Sequence, residues 1–361
     1  MEIFLTLVTS FSLSLITTPV VIKLAYKFGL VDNPKIRPHP AHLHQRIIPR
    51  AGGLAIFISI LLSTLFFLPL DKHILGIIIG GTILTLVGLV DDKSINFSPY
   101  PRLLLQFLAA GVVVASGVGI SFITNPLGGI LRLDGLVYSF SFFGLHNIVL
   151  LADIFALFWI VWMMNTINWA NGVDGQTPGF VAVAALIIGF YSLSLYQNGD
   201  PNQWGIALLS FIVAGASLGF LLFNWHPAKI FLGFSGTTLL GFLLATLSIL
   251  SGAKLAIALL VLLVPAIDSI YTIIRRLISR KSPFLGDQKH LHHLLLKRGW
   301  SHQRISLFYI TSCAILGVLA INLSSSGKLF TLVGAGVLVV GIITWLNFFG
   351  DLSKQPDQDS G

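Results

Sequence analysis

Apolar runs of about 17 to 25 residues recur along almost the whole of this sequence, and nothing else about it restricts the fold as much. Such a run can cross a bilayer as a helix, because a helix satisfies every backbone N–H and C=O within itself where no water is available. Eleven runs qualify, at 1–22, 52–70, 73–90, 103–122, 148–167, 177–196, 204–223, 235–251, 254–273, 304–323 and 328–349. Only 10% of the residues are charged and 55% are hydrophobic, whereas a soluble domain carries about 25% charged residues. The expected fold is an all-α polytopic transmembrane bundle of about 11 helices. One integral-membrane domain spans 1–349, and a polar, disordered tail follows at 350–361. The first run precedes Lys23 and Lys27 and has no basic leader, so it reads as a retained helix. The single cysteine, Cys313, lies in an apolar run and supports neither a disulfide framework nor a zinc spacing.

The basic residues set an orientation. With the N-terminus outside and the C-terminus cytoplasmic, 18 of the 22 Lys and Arg residues fall in cytoplasmic loops, the exceptions being Lys72, Arg132, Lys254 and Lys328. That asymmetry accords with the positive-inside rule and explains the net charge of +8 without invoking nucleic acid. The Gly- and Pro-containing stretch 123–147 reads as an outer hairpin or interfacial segment.

In this orientation nearly all the polar residues of interest gather at cytoplasmic helix ends. A transporter would place such groups near mid-membrane, and the main candidates give it thin support: Asp153 lies near the outer end of its helix and Asp268 follows Pro265. Asp91 and Asp92 end the third run as adjacent carboxylates, which a divalent cation or a basic neighbour would keep ionised; a solvated helix end is the plainer alternative. The segment 165–179 (NTINWANGVDGQTPG) puts Asn165 and Asn168 on one helix face, then allows tight turns at Gly172 and Gly175 around Asp174. Such a segment can close around a planar base or a pyrophosphate. Gly233 and Ser235 open a helix, with Lys229 nearby, and a helix N-terminus favours anions, although a Gly/Ser cap is common. The basic loop 273–304 carries His290, His292 and His293, either as a lipid-facing topogenic loop or as groups around a diphosphate. A further Pro-, His- and Arg-rich loop, 32–51, holds Lys35 and Arg37 and runs into Gly52-Gly53 at a helix start.

Taken in order, the DD pair, the Asn-rich segment, the PAKIF-LG-SG stretch and the HLHH loop resemble the polyprenyl-phosphate N-acetylhexosamine-1-phosphate transferase superfamily, glycosyl transferase family 4. PRLLLQ (101–106) and PAID (265–268) are similar to family segments too, and the likeness extends over roughly 30–305. HLHHLLLKRGWS resembles the undecaprenyl-phosphate N-acetylglucosamine-1-phosphate transferase branch more than the pentapeptide translocases, whose loop ends in an unbroken His triplet. The resemblance implies a cytoplasmic cleft in the bacterial inner membrane. There, undecaprenyl phosphate attacks a UDP-sugar with Mg²⁺ or Mn²⁺ as cofactor, and a homodimer is compatible with the family. It assigns catalytic positions to Asp91, Asp92, His290, His292 and His293. It assigns substrate contacts to Asn165, Asn168, Asn171, Lys229, Gly233, Ser235, Lys35 and Arg37. Asp92, Asp174 and Asn168 are its expected cation ligands.

Two residues depart from the pattern. The family usually reads Gly-Asp-Ser-Gly after PAKIF, and its Asp ligates the metal; here that position is Phe234. The first Asp of the DG-x-DG motif is Asn171, which can coordinate only without charge. The site therefore loses about two negative charges relative to the pattern, which lowers its expected affinity for Mg²⁺. An active transferase, a divergent paralogue with another sugar or acceptor, and an inactive homologue that binds lipid phosphate or UDP-sugar all fit these departures.

Overall fold

The computed structural model describes residues 1–35, 46–94, 97–125, 128–141, 145–252, 255–280 and 289–348. Arg37 and the tail 350–361 lie outside the described residues. The chain opens with α1 (Glu2–Phe28), the short antiparallel pair β1 (Val31–Asp32) and β2 (Ile48–Pro49), then α2 (Gly52–Phe67), α3 (Lys72–Lys93) and α4 (Pro99–Ala115). Two further antiparallel pairs follow, β3 (Phe122–Thr124) with β4 (Ile130–Arg132) and β5 (Val137–Ser141) with β6 (Leu145–Val149). The hairpin expected in 123–147 is thus present, twice. The remainder is helical: α5 (Leu150–Trp169), α6 (Gln176–Gln197), α7 (Gln203–Asn224), α8 (Gly233–Leu250), α9 (Leu255–Val261), α10 (Leu263–Ile278), α11 (Leu291–Lys297), α12 (His302–Asn322) and α13 (Ser325–Phe348).

Each of the eleven apolar runs coincides with a helix, although the run 103–122 leaves its helix after Ala115 and ends at the start of β3, and among the described residues eight helices are long and apolar enough to cross a membrane. Helices α2 and α4 are shorter, at 16 and 17 residues. The ninth run is broken: α9 and α10 meet at 87°. Pro265 lies in the first turn of α10, where its missing N–H costs nothing. Continued backwards, one straight helix would drive its ring into the carbonyl of Val261, the last residue of α9.

Helix α8 is the axis of the bundle. Every residue from Gly233 to Ile249 is buried, against α2, α3, α5, α6, α7 and α9. A helix apolar all round can only lie inside such a ring. Association of helices in lipid depends on close backbone approach rather than on apolar bulk. The buried face of α1 is accordingly a ladder of Thr6, Ser10, Ser14 and Thr18, which meets Gly215 and Gly219 of α7. A Cβ at Gly215 would stand 2.1 Å from Ser10 Oγ. Outward positions carry large apolar side chains instead, among them Phe4, Ile16, Phe330, Val337 and Trp345. Water would make that surface an aggregation hazard, and a bilayer makes it the lipid face.

Candidate functional site

Helices α3, α5 and α7 end where α2, α6, α8 and α12 begin, and the polar residues picked out from the sequence meet at that end of the bundle. Asp92 closes α3 fully buried, with four donors on its two oxygens. Phe234 N at 2.7 Å and Arg50 Nε at 3.0 Å reach Oδ1; Ser235 Oγ at 2.7 Å and Ser235 N at 3.2 Å reach Oδ2. The carboxylate thus caps the start of α8, where unpaired N–H groups favour negative charge. Gly233 makes this possible. Its φ is +70°, and a Cβ there would lie 2.2 Å from Asp92 Oδ2.

Arg50 is delivered by a short parallel contact between 49–53 and 231–232. Phe231 N donates to Pro49 O (2.8 Å), while Gly52 N and Gly53 N donate to Phe231 O and Leu232 O (3.0 and 3.1 Å). Asp32 stands 3.8 Å from the same guanidinium. Asp91, 2% exposed, pairs with Arg102 Nε at the start of α4. That guanidinium also lies over the Phe234 ring, 5.2 Å from its centroid, and near Phe97 at 5.8 Å.

The Asn-rich segment forms the turn between α5 and α6. Asn168 Oδ1 accepts from Thr237 Oγ1 (2.7 Å), one turn into α8. Asn165 sits a turn deeper in α5 and donates to Gln106 Oε1 (2.8 Å), tying α5 to α4. Asn171 is exposed. Asp174 Oδ2 is paired with His226 Nδ1 (2.7 Å) and accepts from Ala228 N (3.1 Å), with His302 Nδ1 3.8 Å away. Asn224 fixes the turn by accepting from Gly175 N (3.0 Å) while donating to Ile230 O (2.8 Å). Gln176 is fully buried and accepts from Val173 N (3.3 Å).

The three histidines are buried, at 5%, 1% and 9% exposure for His290, His292 and His293. Asp268 holds this element: its Oδ2 pairs with His290 Nδ1 (2.8 Å) and its Oδ1 accepts from Leu291 N (2.9 Å), the first residue of α11. The His292 ring fills the place a Cβ on Gly172 would take, 1.9 Å from that point. Burial, then the neighbouring His293 and His290, push His292 well below the ordinary imidazole range. Lys229 and Lys35 are exposed, the latter at the edge of the described residues.

The structure thus brings together the carboxylates, the Asn/Asp turn and the His element picked out from the sequence, and pairs them with Arg50, Arg102, His226, His302 and Asp268, which the sequence reading had not assigned to the site. Asp153 and Asp268, the two residues a transporter reading would use, both have local tasks. Asp153 accepts from Val149 N (2.9 Å) at the start of α5, and Asp268 seats α11.

A divalent cation needs carboxylate oxygens turned into a common space. Asp92 has none to spare, Asp91 is bound to Arg102, Asn168 takes the Thr237 hydroxyl and Phe234 offers no ligand atom. The acidic pair and its neighbours do not fit Mg²⁺. Among the described residues, ligand atoms of three Asp or His side chains converge instead at Asp174, His226 and His302, within 4.8 Å of one another.

Comparison with known proteins gives a consistent picture. Residues 74–252 match the family model of glycosyl transferase family 4. A Bacillus subtilis protein named "Probable undecaprenyl-phosphate N-acetylglucosaminyl 1-phosphate transferase" is 31% identical over 90% of this chain and 87% of its own length. The decaprenyl-phosphate N-acetylglucosaminephosphotransferase of Mycolicibacterium smegmatis is 31% identical over 92% of this chain and 85% of its own. The phospho-N-acetylmuramoyl-pentapeptide-transferase of Bacillus subtilis is more distant, 25% identical over 88% and 97%. That order agrees with the branch suggested by the HLHH loop.

Proposed function

The chain belongs to glycosyl transferase family 4, in the branch of the polyprenyl-phosphate N-acetylglucosamine-1-phosphate transferases, and from that premise we propose that it transfers N-acetylhexosamine 1-phosphate from a UDP-sugar to undecaprenyl phosphate. N-acetylglucosamine is the sugar in the names of its relatives, and the product would begin a lipid-linked cell-envelope glycan such as a teichoic acid or lipopolysaccharide chain. In this reaction an oxygen of the lipid phosphate attacks the sugar-linked phosphorus. A new P–O bond forms, the bond from that phosphorus to the bridging oxygen breaks, and UMP leaves with the bridging oxygen and its electron pair.

The observation that carries this reading is the meeting, at one end of the bundle, of three elements distant in sequence. They are the Asp91–Asp92 pair with its two arginines, the turn around Asp174, and the buried His290–His293 helix end. Arg50 and Arg102 are each anchored to a buried carboxylate, and their side chains keep 29% and 33% of their surface accessible. A guanidinium so fixed still has N–H groups for phosphate oxygens. The His element, seated on Asp268 through His290, lays the His292 ring against Gly172 of the Asn/Asp turn. We assign this end to the cytoplasmic face of a bacterial inner membrane, where a soluble nucleotide sugar and a membrane lipid can meet.

The test is UMP release by purified full-length protein in detergent, given undecaprenyl phosphate and UDP-N-acetylglucosamine. Release that requires the lipid supports the transferase. Binding of either substrate without UMP, across a panel of UDP-sugars, would favour the reading that Phe234 invites, a homologue that kept the fold and lost the chemistry.

A further inference from the structure

The position where the family carries a metal-ligating carboxylate is filled here by a ring with a guanidinium over it. Arg102 lies with its Cζ 5.2 Å from the Phe234 centroid and its Nε on Asp91, while the Phe234 backbone N–H still caps Asp92 at 2.7 Å. Phe234 is 7% exposed, so its ring is a built wall of the site rather than a loose surface group. An aromatic face attracts a cation and offers it no lone pair. The local charges are already matched: Asp91 with Arg102, and Asp92 with Arg50, which Asp32 also approaches at 3.8 Å. A divalent ion placed among them would find Asp92 filled by four donors and would face two guanidiniums in contact with the same helix end.

We propose that in this protein the Arg102 guanidinium, seated on Phe234 and held by Asp91, supplies the fixed positive charge of the site, and that a phosphate-bearing substrate binds to it without a divalent cation at the acidic pair. The reading rests on the transferase assignment for the identity of that substrate. The shared chemistry is a phosphate or diphosphate group, which the nucleotide sugar and the polyprenyl phosphate both carry. Phenylalanine at 234 and arginine at 102 then form one device: the ring offers no carboxylate to a metal and gives the guanidinium a place to lie.

The deciding experiment is a Mn²⁺ titration followed by electron paramagnetic resonance on the full chain in detergent, for wild type, Asp91→Asn and Phe234→Asp. Wild type should bind no Mn²⁺ at the acidic pair. Either no tight ion is seen, or the same ion is seen in wild type and Asp91→Asn, as expected if it sits at the Asp174, His226 and His302 cluster. Phe234→Asp should add about one ion per chain, with at least tenfold tighter binding than any at this position in wild type. A tight ion in wild type that Asp91→Asn removes would overturn the proposal. This readout does not depend on turnover, so failure of the transferase reading leaves it decisive.

A second arm measures binding of UDP-N-acetylglucosamine and, separately, of undecaprenyl phosphate, with EDTA or with Mg²⁺. Neither affinity should change by more than about twofold, whereas Arg102→Gln should weaken at least one of them tenfold or more. Weakening of the nucleotide sugar alone places its diphosphate at Arg102, and weakening of the lipid alone places the lipid phosphate there. Loss of binding on adding EDTA, or full binding in a folded Arg102→Gln protein, would count against the guanidinium.

Discussion

At the residue scale the site is a set of buried carboxylates, each with a cationic or N–H partner, and the two members of the acidic pair have different tasks. Asp92 joins α3, α8 and the Arg50 segment, so Asp92→Asn leaves a guanidinium and two N–H groups on a neutral amide. Breaking a buried pair costs about 3–5 kcal/mol, and the lower end applies because Arg50 keeps some contact with water. Asp91 meets the more accessible Arg102. Both Asn variants should lose transfer, by about a hundredfold or more, but only Asp92→Asn should also lower the melting temperature by several degrees, as scanning fluorimetry would show. Full activity in either variant would remove it from the machinery. His292 carries a pH signature. Its folded value lies below the ordinary one near 6.5, so below that pH the unfolded chain takes up a proton the folded chain refuses. Its contribution to stability is whole above about pH 6.5 and declines as the pH falls toward the folded value. Acidification from pH 7.5 to 5.5 should destabilise wild type more than His292→Asn, compared as two melting curves. The carboxylates and histidines were legible in the sequence because they fall at helix ends and in the loop 273–304 as short polar motifs in a family-like order. Their partners were not, because Arg50 lies 42 residues from Asp92 and reads alone as one more cytoplasmic charge.

At the scale of the element, close approach decides what meets what. The His helix α11 can lie against the turn after α5 only because residue 172 lacks a side chain: a Cβ there would stand 1.9 Å from the His292 ring. Gly172→Ala should push α11 off its seat at a cost of about 1–3 kcal/mol. Asp268→Asn, which weakens the other attachment of α11, should then add less than its full single-variant effect, because both changes loosen the same contact. A double-mutant cycle on melting temperature measures this, and strict additivity would show that the two attachments are independent. Length and apolar composition were enough to match each of the eleven apolar runs to helix. They could not show the 87° break between α9 and α10, since an apolar run of sufficient length looks the same straight or bent. The one local sign was Pro265, which forbids a helix continuing through residues 261–265 without committing the chain to a particular angle. Helix α11, with seven residues, is too short for any pattern to announce, and it is held by Asp268 from another helix.

At the scale of the whole molecule, the distribution of charge and the position of the site make one joint statement. Arg50, Lys93, Arg102, Lys229, Arg275 and Arg276 lie at the end of the bundle that holds the acidic pair and the histidines, while Lys72 and Lys328 begin α3 and α13. Charge counting had already put the carboxylates at the basic ends of helices; the fold adds that Arg50 and Arg102 reach them directly. If the positive-inside rule governs this chain, the site end faces the cytoplasm and the β3–β6 hairpins lie across the bilayer, about 30 Å away along α5. Single cysteines can test that directly. The native Cys313 is 4% exposed in the body of α12 and gives little background, and Cys313→Ala removes it. Lys93 and Asn198 are exposed at opposite ends, the one ending α3 and the other following α6. In intact cells a membrane-impermeant maleimide should label Asn198→Cys and leave Lys93→Cys untouched until the membrane is opened. The reverse pattern would put the site outside, away from any nucleotide sugar made in the cytoplasm, and would remove the proposed donor along with the orientation.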